Sequence, residues 1–295
     1  MKYPYLRRLP GFEYLAPETI DEAVLLLSRH GKEAKPIAGG TDILLKMKRR
    51  EVVPRYLVGL KNIPELGNID YDDAQGLRFG PLVTIDAMET SPIVRENYPI
   101  LSQAASTIGS AQIRNLGTVI GNVCNALPSA DMIPSLIVLG ATVRITGKKG
   151  ERHIPVGDFF TGAGKTILAH DELVVEIQVP CLPPHSGGAY IKHAPREAMD
   201  LAIISVAACL TLANGVCKEV RICLGTAGPI PIRARKAEEI LRNKPLSAAL
   251  VVKASEAAAE EAQPRSTMRG SAEYRKEMLR TLTARALNRA KKEID

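Results

Sequence analysis

Two short glycine-bearing segments hold the residues best suited to chemistry. The first is Lys35-Pro36-Ile37-Ala38-Gly39-Gly40-Thr41-Asp42. The second is Asn115-Leu116-Gly117-Thr118-Val119-Ile120-Gly121-Asn122, which runs on to Pro128-Ser129-Ala130-Asp131. Glycine permits positive φ, and its missing Cβ lets amide N–H groups converge on an anion. Thr41, Thr118, Asn122 and Ser129 add short hydrogen-bonding side chains. Two such segments facing each other would grip the pyrophosphate of a dinucleotide from both sides. Taken alone, the first reads equally well as a helix-start turn capped by Thr41 or Asp42. The second alternates small and hydrogen-bonding residues, a pattern that a plain loop does not need.

The elements around these segments must position them. Residues 19–30 read as an amphipathic helix, with Thr19 and Glu22 as a capping box and Ile20, Val24 and Leu27 on one face. A strand over 34–37 leads into Gly39-Gly40, and a helical pattern resumes over 42–48. That order places helix N-terminal amides beside the glycines. It is not G-x-G-x-x-G, so a Rossmann site is not indicated. Strands are expected at 56–60 and 77–79, and helices at 85–91 and 100–108. Residues 131–139 follow Pro128 as a helix, and 141–146 as a strand. The turn chemistry of 147–150 then closes a hairpin with 152–155. A strand over 173–179 stops at Pro180.

The stretch 180–188 is rich in proline and glycine, and it is taken as the boundary between residues 1–179 and 180–295. A lesser break within the first part is expected near 55–60. Beyond residue 188, apolar runs at 201–212 and 216–224 flank Asn214-Gly215, a strong hairpin signal. Helices follow over 234–242, 247–263 and 271–292, the last with Tyr274, Met278, Leu282 and Leu287 as its apolar stripe.

The chain has 295 residues, 45% hydrophobic and 24% charged, within the globular range and long enough for two domains. Its net charge is +7, and the stretch from Arg233 to Asp295 holds 15 Lys and Arg against 9 Asp and Glu. Interleaved glutamates favour solvated helix faces over a docking surface for an acidic partner. No ladder of basic and aromatic residues suggests nucleic-acid binding. Cys124, Cys181, Cys209, Cys217 and Cys223 have no C-x-x-C spacing, so neither a metal cluster nor an oxidising compartment is indicated. No apolar run is long enough to span a bilayer, and a cytoplasmic protein is expected. The five histidines are scattered. No nucleophile–base pair can be assembled, so no catalytic residue is assigned.

Read together, Ala38-Gly39-Gly40-Thr41-Asp42, Gln112-Ile113-Arg114-Asn115-Leu116-Gly117-Thr118, Gly121-Asn122 and Pro128-Ser129-Ala130-Asp131 resemble the FAD-binding subunit of the molybdenum hydroxylases. This is the medium subunit of the xanthine dehydrogenase and carbon monoxide dehydrogenase family. Gly188-Ala189-Tyr190-Ile191-Lys192, Asp200-Leu201-Ala202 and Gly270-Ser271-Ala272-Glu273-Tyr274-Arg275 extend the resemblance over nearly the whole chain. It implies an α+β fold: a two-lobed FAD-binding module of PCMH type, then a small antiparallel sheet with helices.

The resemblance also implies roles. Lys35, Pro36, Ile37, Ala38, Gly39, Gly40, Thr41, Asp42 and Ile43 would wrap the FAD pyrophosphate, with Gly117, Thr118, Gly121 and Asn122 on its other side. Asp131 would hydrogen-bond the cofactor, and Ile108 and Val174 would pack near it. Lys192 would sit near the isoalloxazine and favour negative charge developing there. Tyr190 is either a cover for one ring face or an ordinary strand aromatic. The family usually shows Gly-Gly-Asn where this chain has Ile120-Gly121-Asn122, so Ile120 is expected to shift the loop or narrow the phosphate site. Some family members carry an inserted four-cysteine loop near the position of Cys124. It is absent here, and no cluster is expected. The implied partners are a small iron–sulfur subunit and a large molybdopterin subunit, with NAD, oxygen or a quinone as acceptor. The alternatives are a cofactor-free scaffold subunit and a freestanding flavin oxidoreductase.

Overall fold

A computed structural model describes residues 8–294. Its first lobe contains β1 (Glu13–Leu15), α1 (Ile20–His30), β2 (Ala34–Ile37), α2 (Ile43–Arg49) and β3 (Tyr56–Gly59). The three strands are parallel in the order β1-β3-β2, which requires helical crossovers such as α2. Thr19 caps α1, its Oγ1 accepting from the Glu22 amide at 3.1 Å. The Glu22 carboxylate accepts from the amide of Glu18 instead of Thr19, so the reciprocal bond of the capping box is displaced by one residue. Ala23, Val24 and Leu27 face a core shared with Val58, Leu60, Ile63 and Leu66. A break at 55–60 would cut the central strand. The chain leaves this lobe beyond Leu66, and Leu173 and Val175 later return to its core.

The second lobe begins with β4 (Ile69–Asp72) and β5 (Gly76–Phe79). Six short helices follow: α3 (Ile85–Thr90), α4 (Pro92–Asn97), α5 (Pro99–Ser106), α6 (Ala111–Arg114), α7 (Val119–Asn125) and α8 (Met132–Leu139). Then come β6 (Thr142–Gly147), β7 (Gly150–Pro155), the small pair β8 (Phe160–Gly162) and β9 (Lys165–Thr166), and β10 (Leu173–Val179). Five strands form an antiparallel sheet, β4-β5-β10-β6-β7. The hairpin expected at 147–150 is present, with Gly147 opposite Gly150. The helical character of 119–125 was not anticipated.

Residues 180–185 lead to the last domain, built from β11 (Ser186–His193), β12 (Ile204–Ala213), β13 (Val216–Gly225), β14 (Ile232–Arg233), α9 (Arg235–Leu241), α10 (Ala248–Glu261) and α11 (Ala272–Lys292). The strands form one antiparallel sheet in sequence order. Asn214 and Gly215 both take positive φ, 52° and 76°, as a two-residue turn matched to strand twist requires. Side chains alternate across this sheet. Tyr190, Ala207, Cys209 and Cys223 join the core of the second lobe. Ala189, Val206, Ala208 and Leu210 join a core with the three helices. One sheet thus closes two cores. On α11 the buried face is Leu279, Leu282, Ala286, Leu287 and Ala290. Tyr274, expected on that stripe, is exposed and hydrogen-bonds His193 at 2.7 Å.

Glu238 is the carboxylate most completely enclosed in this domain. It accepts from Nε and Nη2 of Arg233, each at 2.7 Å, and from the Ile222 amide at 2.9 Å. Removing one partner of such a pair leaves an uncompensated buried charge. Arg233→Ala should therefore lower unfolding free energy by about 3 kcal/mol in urea denaturation, and Arg233→Ala with Glu238→Leu should recover most of it. Equal losses in the single and double variants would contradict this reading.

Candidate functional site

The two glycine segments meet. A Cβ on Gly39 would lie 1.9 Å from the Leu116 carbonyl oxygen and 3.0 Å from the Gly117 Cα. A Cβ on Gly117 would lie 3.3 Å from Thr41 Oγ1. Backbone therefore lies against backbone, and any side chain at Gly39 would force the lobes apart. Gly40 has φ of 76°, a left-handed conformation that glycine takes without strain. Each segment ends at the amino end of a helix, the first at α2 and the second at α7. Lys46 Nζ donates to Asn125 Oδ1 at 2.5 Å, which ties the later turns of the two helices together. Both helices start where the two glycine segments meet, at the crevice between the lobes.

The donors there are unequally used. Among the described residues, the amides of Gly40, Thr41, Asp42 and Ile43 have no hydrogen-bond acceptor. Four consecutive free donors at a helix start form an anion cradle that needs only backbone. On the α7 side, Thr118 Oγ1 accepts from the Gly121 amide at 3.1 Å, and the Val119 amide donates to Val83. Thr118 is buried, so its hydroxyl serves as a helix cap. Gly121 and Asn122 lie inside α7 and not in a loop. A Cβ on Gly121 would sit 2.7 Å from Thr118 Oγ1, so glycine there protects the cap. Asn122 Oδ1 accepts from the Met132 amide at 3.4 Å, at the start of α8.

Ile120 does not intrude on this crevice. It is 3% exposed and packed in the main core beside Val119 and Val123. Helical periodicity turns 119, 120 and 123 inward while Gly121 stays at the surface. The expected narrowing of the phosphate site is corrected: in a helix, unlike a loop, that side chain has a core to enter.

A second cluster joins the two domains. Asp131 precedes α8 and is 6% exposed. Its Oδ1 accepts from the Tyr190 hydroxyl at 2.6 Å and its Oδ2 from Lys192 Nζ at 2.9 Å. Lys192 Nζ also donates to the Thr107 carbonyl at 2.9 Å. Residues two apart on β11 face one way, which is how Tyr190 and Lys192 reach one carboxylate. Burial pushes the Asp131 carboxyl up, against the opposing pull of Lys192 and Tyr190. The Tyr190 hydroxyl is pushed well above its ordinary value, by burial first and by Asp131 second. The Tyr190 ring is packed in the main core at 3% exposure.

The structure brings Gly39, Gly40 and Thr41 together with Gly117 and Thr118, and Asp131 together with Tyr190 and Lys192. The Asn122–Met132 bond links the two groups. Ile108 and Val174 lie in the main core, Ile108 directly after the carbonyl that holds Lys192. Val174 borders a bulge in β10. Lys35 and Pro36 are exposed on β2, and Ile37 and Ile43 flank the cradle half-buried. Asp42 starts α2 without a capping bond. Lys46, Asn125 and the carbonyls of Leu116 and Thr107 were not anticipated. The carbonyls carry no sequence signal, and Lys46 and Asn125 become partners only when the lobes close. Among the described residues no group of His, Cys, Asp and Glu could hold a metal ion. Nor is any helix long and apolar enough to cross a membrane.

Comparison with known proteins agrees with this arrangement. Residues 10–182 match the family described as the FAD binding domain in molybdopterin dehydrogenase, and residues 189–290 match the CO dehydrogenase flavoprotein C-terminal domain. The chain is 36% identical to the xanthine dehydrogenase FAD-binding subunit of Escherichia coli O157:H7, over 94% of this chain and 95% of that one. It is 33% identical to the carbon monoxide dehydrogenase medium chain of Hydrogenophaga pseudoflava, over 95% and 97% respectively. A solved carbon monoxide dehydrogenase from Hydrogenophaga pseudoflava superposes with a TM-score of 0.92 at 34% identity, covering 96% of this chain and 98% of that chain. The free amides at α2, the side-chain-free contact of Gly39 with Leu116 and the matched domains lead to one conclusion: this chain belongs to the FAD-binding subunits of the molybdenum hydroxylases, an oxidoreductase subunit whose cofactor is FAD.

Proposed function

We propose that this chain is the electron-transfer subunit of a molybdenum hydroxylase complex. It takes electrons from the iron–sulfur clusters of a small partner subunit and passes them to an external acceptor such as NAD, oxygen or a quinone. A large molybdopterin subunit oxidises the substrate, and no residue of this chain touches it. The observation that carries the reading is the run of free amides at Gly40, Thr41, Asp42 and Ile43, facing the second segment across a contact that excludes side chains.

The residues divide the work. The amides at the start of α2 hold the diphosphate, with the positive ends of α2 and α7 adding favourable potential. Ile37 and Ile43 border that grip, and Ile108 and Val174 supply apolar wall. Bound FAD accepts electrons singly or in pairs and releases them to a second acceptor. Lys192 places a fixed cation beside the ring, where negative charge develops on reduction. Asp131 and Tyr190 hold that ammonium in one place, so little reorganisation accompanies electron arrival.

The direct test is purification of the co-expressed complex. One FAD per copy of this chain, reduced by substrate through the partner subunits, is the expected result. A colourless chain that takes up no added FAD would indicate a scaffold. A yellow monomer that turns over substrate alone would indicate a freestanding enzyme.

Two variants test the assigned parts. Gly39→Ala should cut bound FAD to below about a tenth of the parental content, because the new methyl meets a backbone carbonyl that cannot swing away. Full flavin content in that variant would refute the cradle. Lys192→Met should lower the flavin midpoint potential by on the order of 30 mV, equivalent to about 1.4 kcal/mol for a two-electron couple. In the same variant burial of Asp131 is no longer opposed by the ammonium, so its carboxyl is driven towards the neutral form. A carboxylic acid C=O band should then appear in the infrared spectrum at neutral pH and vanish in Lys192→Met with Asp131→Asn. An unchanged potential and no new band would remove Lys192 from its assigned position.

A further inference from the structure

The Lys46–Asn125 bond has no part in the cofactor-binding roles assigned above. It is a side-chain hydrogen bond between α2 of the first lobe and α7 of the second, partly buried at 2.5 Å. Of the seven described residues of α2, only Met47 is buried. The helix that supplies the free amides thus packs lightly: Met47 is its one buried side chain, Ile43 and Leu44 are half-buried, Arg50 at its end donates to the Arg8 carbonyl, and Lys46 carries its side-chain hydrogen bond to the second lobe. By contrast, α7 buries Val119, Ile120 and Val123 in the main core and is fixed. Asp42, one turn before Lys46, feels both the Lys46 charge and the Asn125 amide. These groups form a second bridge between the lobes, beyond the contact of Gly39 with Leu116.

We infer that Lys46 and Asn125 are positioning residues that latch α2 against α7 and so set how long FAD stays bound. The inference rests on the proposed place of FAD between the two glycine segments. The latch touches neither the ring nor the cluster around Lys192. Its loss speeds release of the cofactor and leaves the redox properties of the flavin alone. A charge-assisted hydrogen bond that is partly exposed supports an effect of roughly tenfold on the release rate.

The experiment uses the FAD-loaded complex diluted into excess apo-glucose oxidase as an FAD trap, with release followed by the oxidase activity that captured FAD restores. Lys46→Met and Asn125→Ala should each release FAD roughly tenfold faster than the parent, and the double variant no faster than either single one. Asn125→Asp keeps an acceptor for the ammonium and should release FAD no faster than the parent. The flavin midpoint potential should be unchanged in all four. If Lys46→Met accelerates release while Asn125→Ala does not, Lys46 contacts the phosphates directly and the latch is refuted. Parental release rates in both single variants also refute it. If the parental complex itself holds no FAD, the failure lies with the proposed function and not with the latch.

Discussion

The contact between Gly39 and the Leu116–Gly117 backbone governs the architecture around it. Two chain segments from different lobes approach this closely only because position 39 carries no Cβ where it meets the Leu116 carbonyl. The closeness brings the starts of α2 and α7 to one meeting point. Lys46, bonded to Asn125, adds a second contact between the lobes. A side chain at Gly39 would therefore undo the geometry of both helix starts at once, though it touches neither.

The second dependency is electrostatic. A buried carboxylate, a buried phenol and a buried ammonium from two domains converge on one point. Such a group is tolerated only if its hydrogen bonds are satisfied. The Asp131 oxygens receive Tyr190 and Lys192, and the ammonium has the Thr107 carbonyl besides. The network costs desolvation that an apolar trio of similar volume would not. Under the proposed function, its use would be to hold a charge fixed where electrons arrive. It also binds β11 to the second lobe, where Gly188 packs against Ile100 with no room to spare.

Much of this was legible in the sequence because it is local. The strand at 173–179, the turn at 147–150 and the Asn214-Gly215 hairpin follow from alternation and turn chemistry over a few residues. The glycine segments were legible for the same reason. What escaped was set by tertiary context. Residues 119–125 carry a glycine and two asparagines, which weaken a helical reading until Thr118 caps them. Ile120 looked obstructive because a loop was assumed, and a helix turns it into the core. Tyr274 fell at helical spacing with Leu282 but outside the buried arc, and it found a polar partner in His193 instead. Carbonyl acceptors such as Thr107 and Leu116 leave no mark in the residue type at all.

The unequal condition of the two walls explains how one crevice can be both exact and accessible. On the α7 side most donors are already used and the helix is anchored in the main core, so this wall holds its shape without a ligand. On the α2 side the donors are free and the anchorage is slight. Free amides at a helix start gain most from an anion, and a lightly held helix gives up little packing when it moves to admit one. In the proposed site, the ligand would supply the missing partners for Gly40, Thr41, Asp42 and Ile43. Its binding free energy would then stabilise the first lobe, by the linkage that couples any ligand to the state it prefers. With FAD held at this cradle, as proposed, the light packing of α2 would tie cofactor occupancy to the integrity of the small lobe.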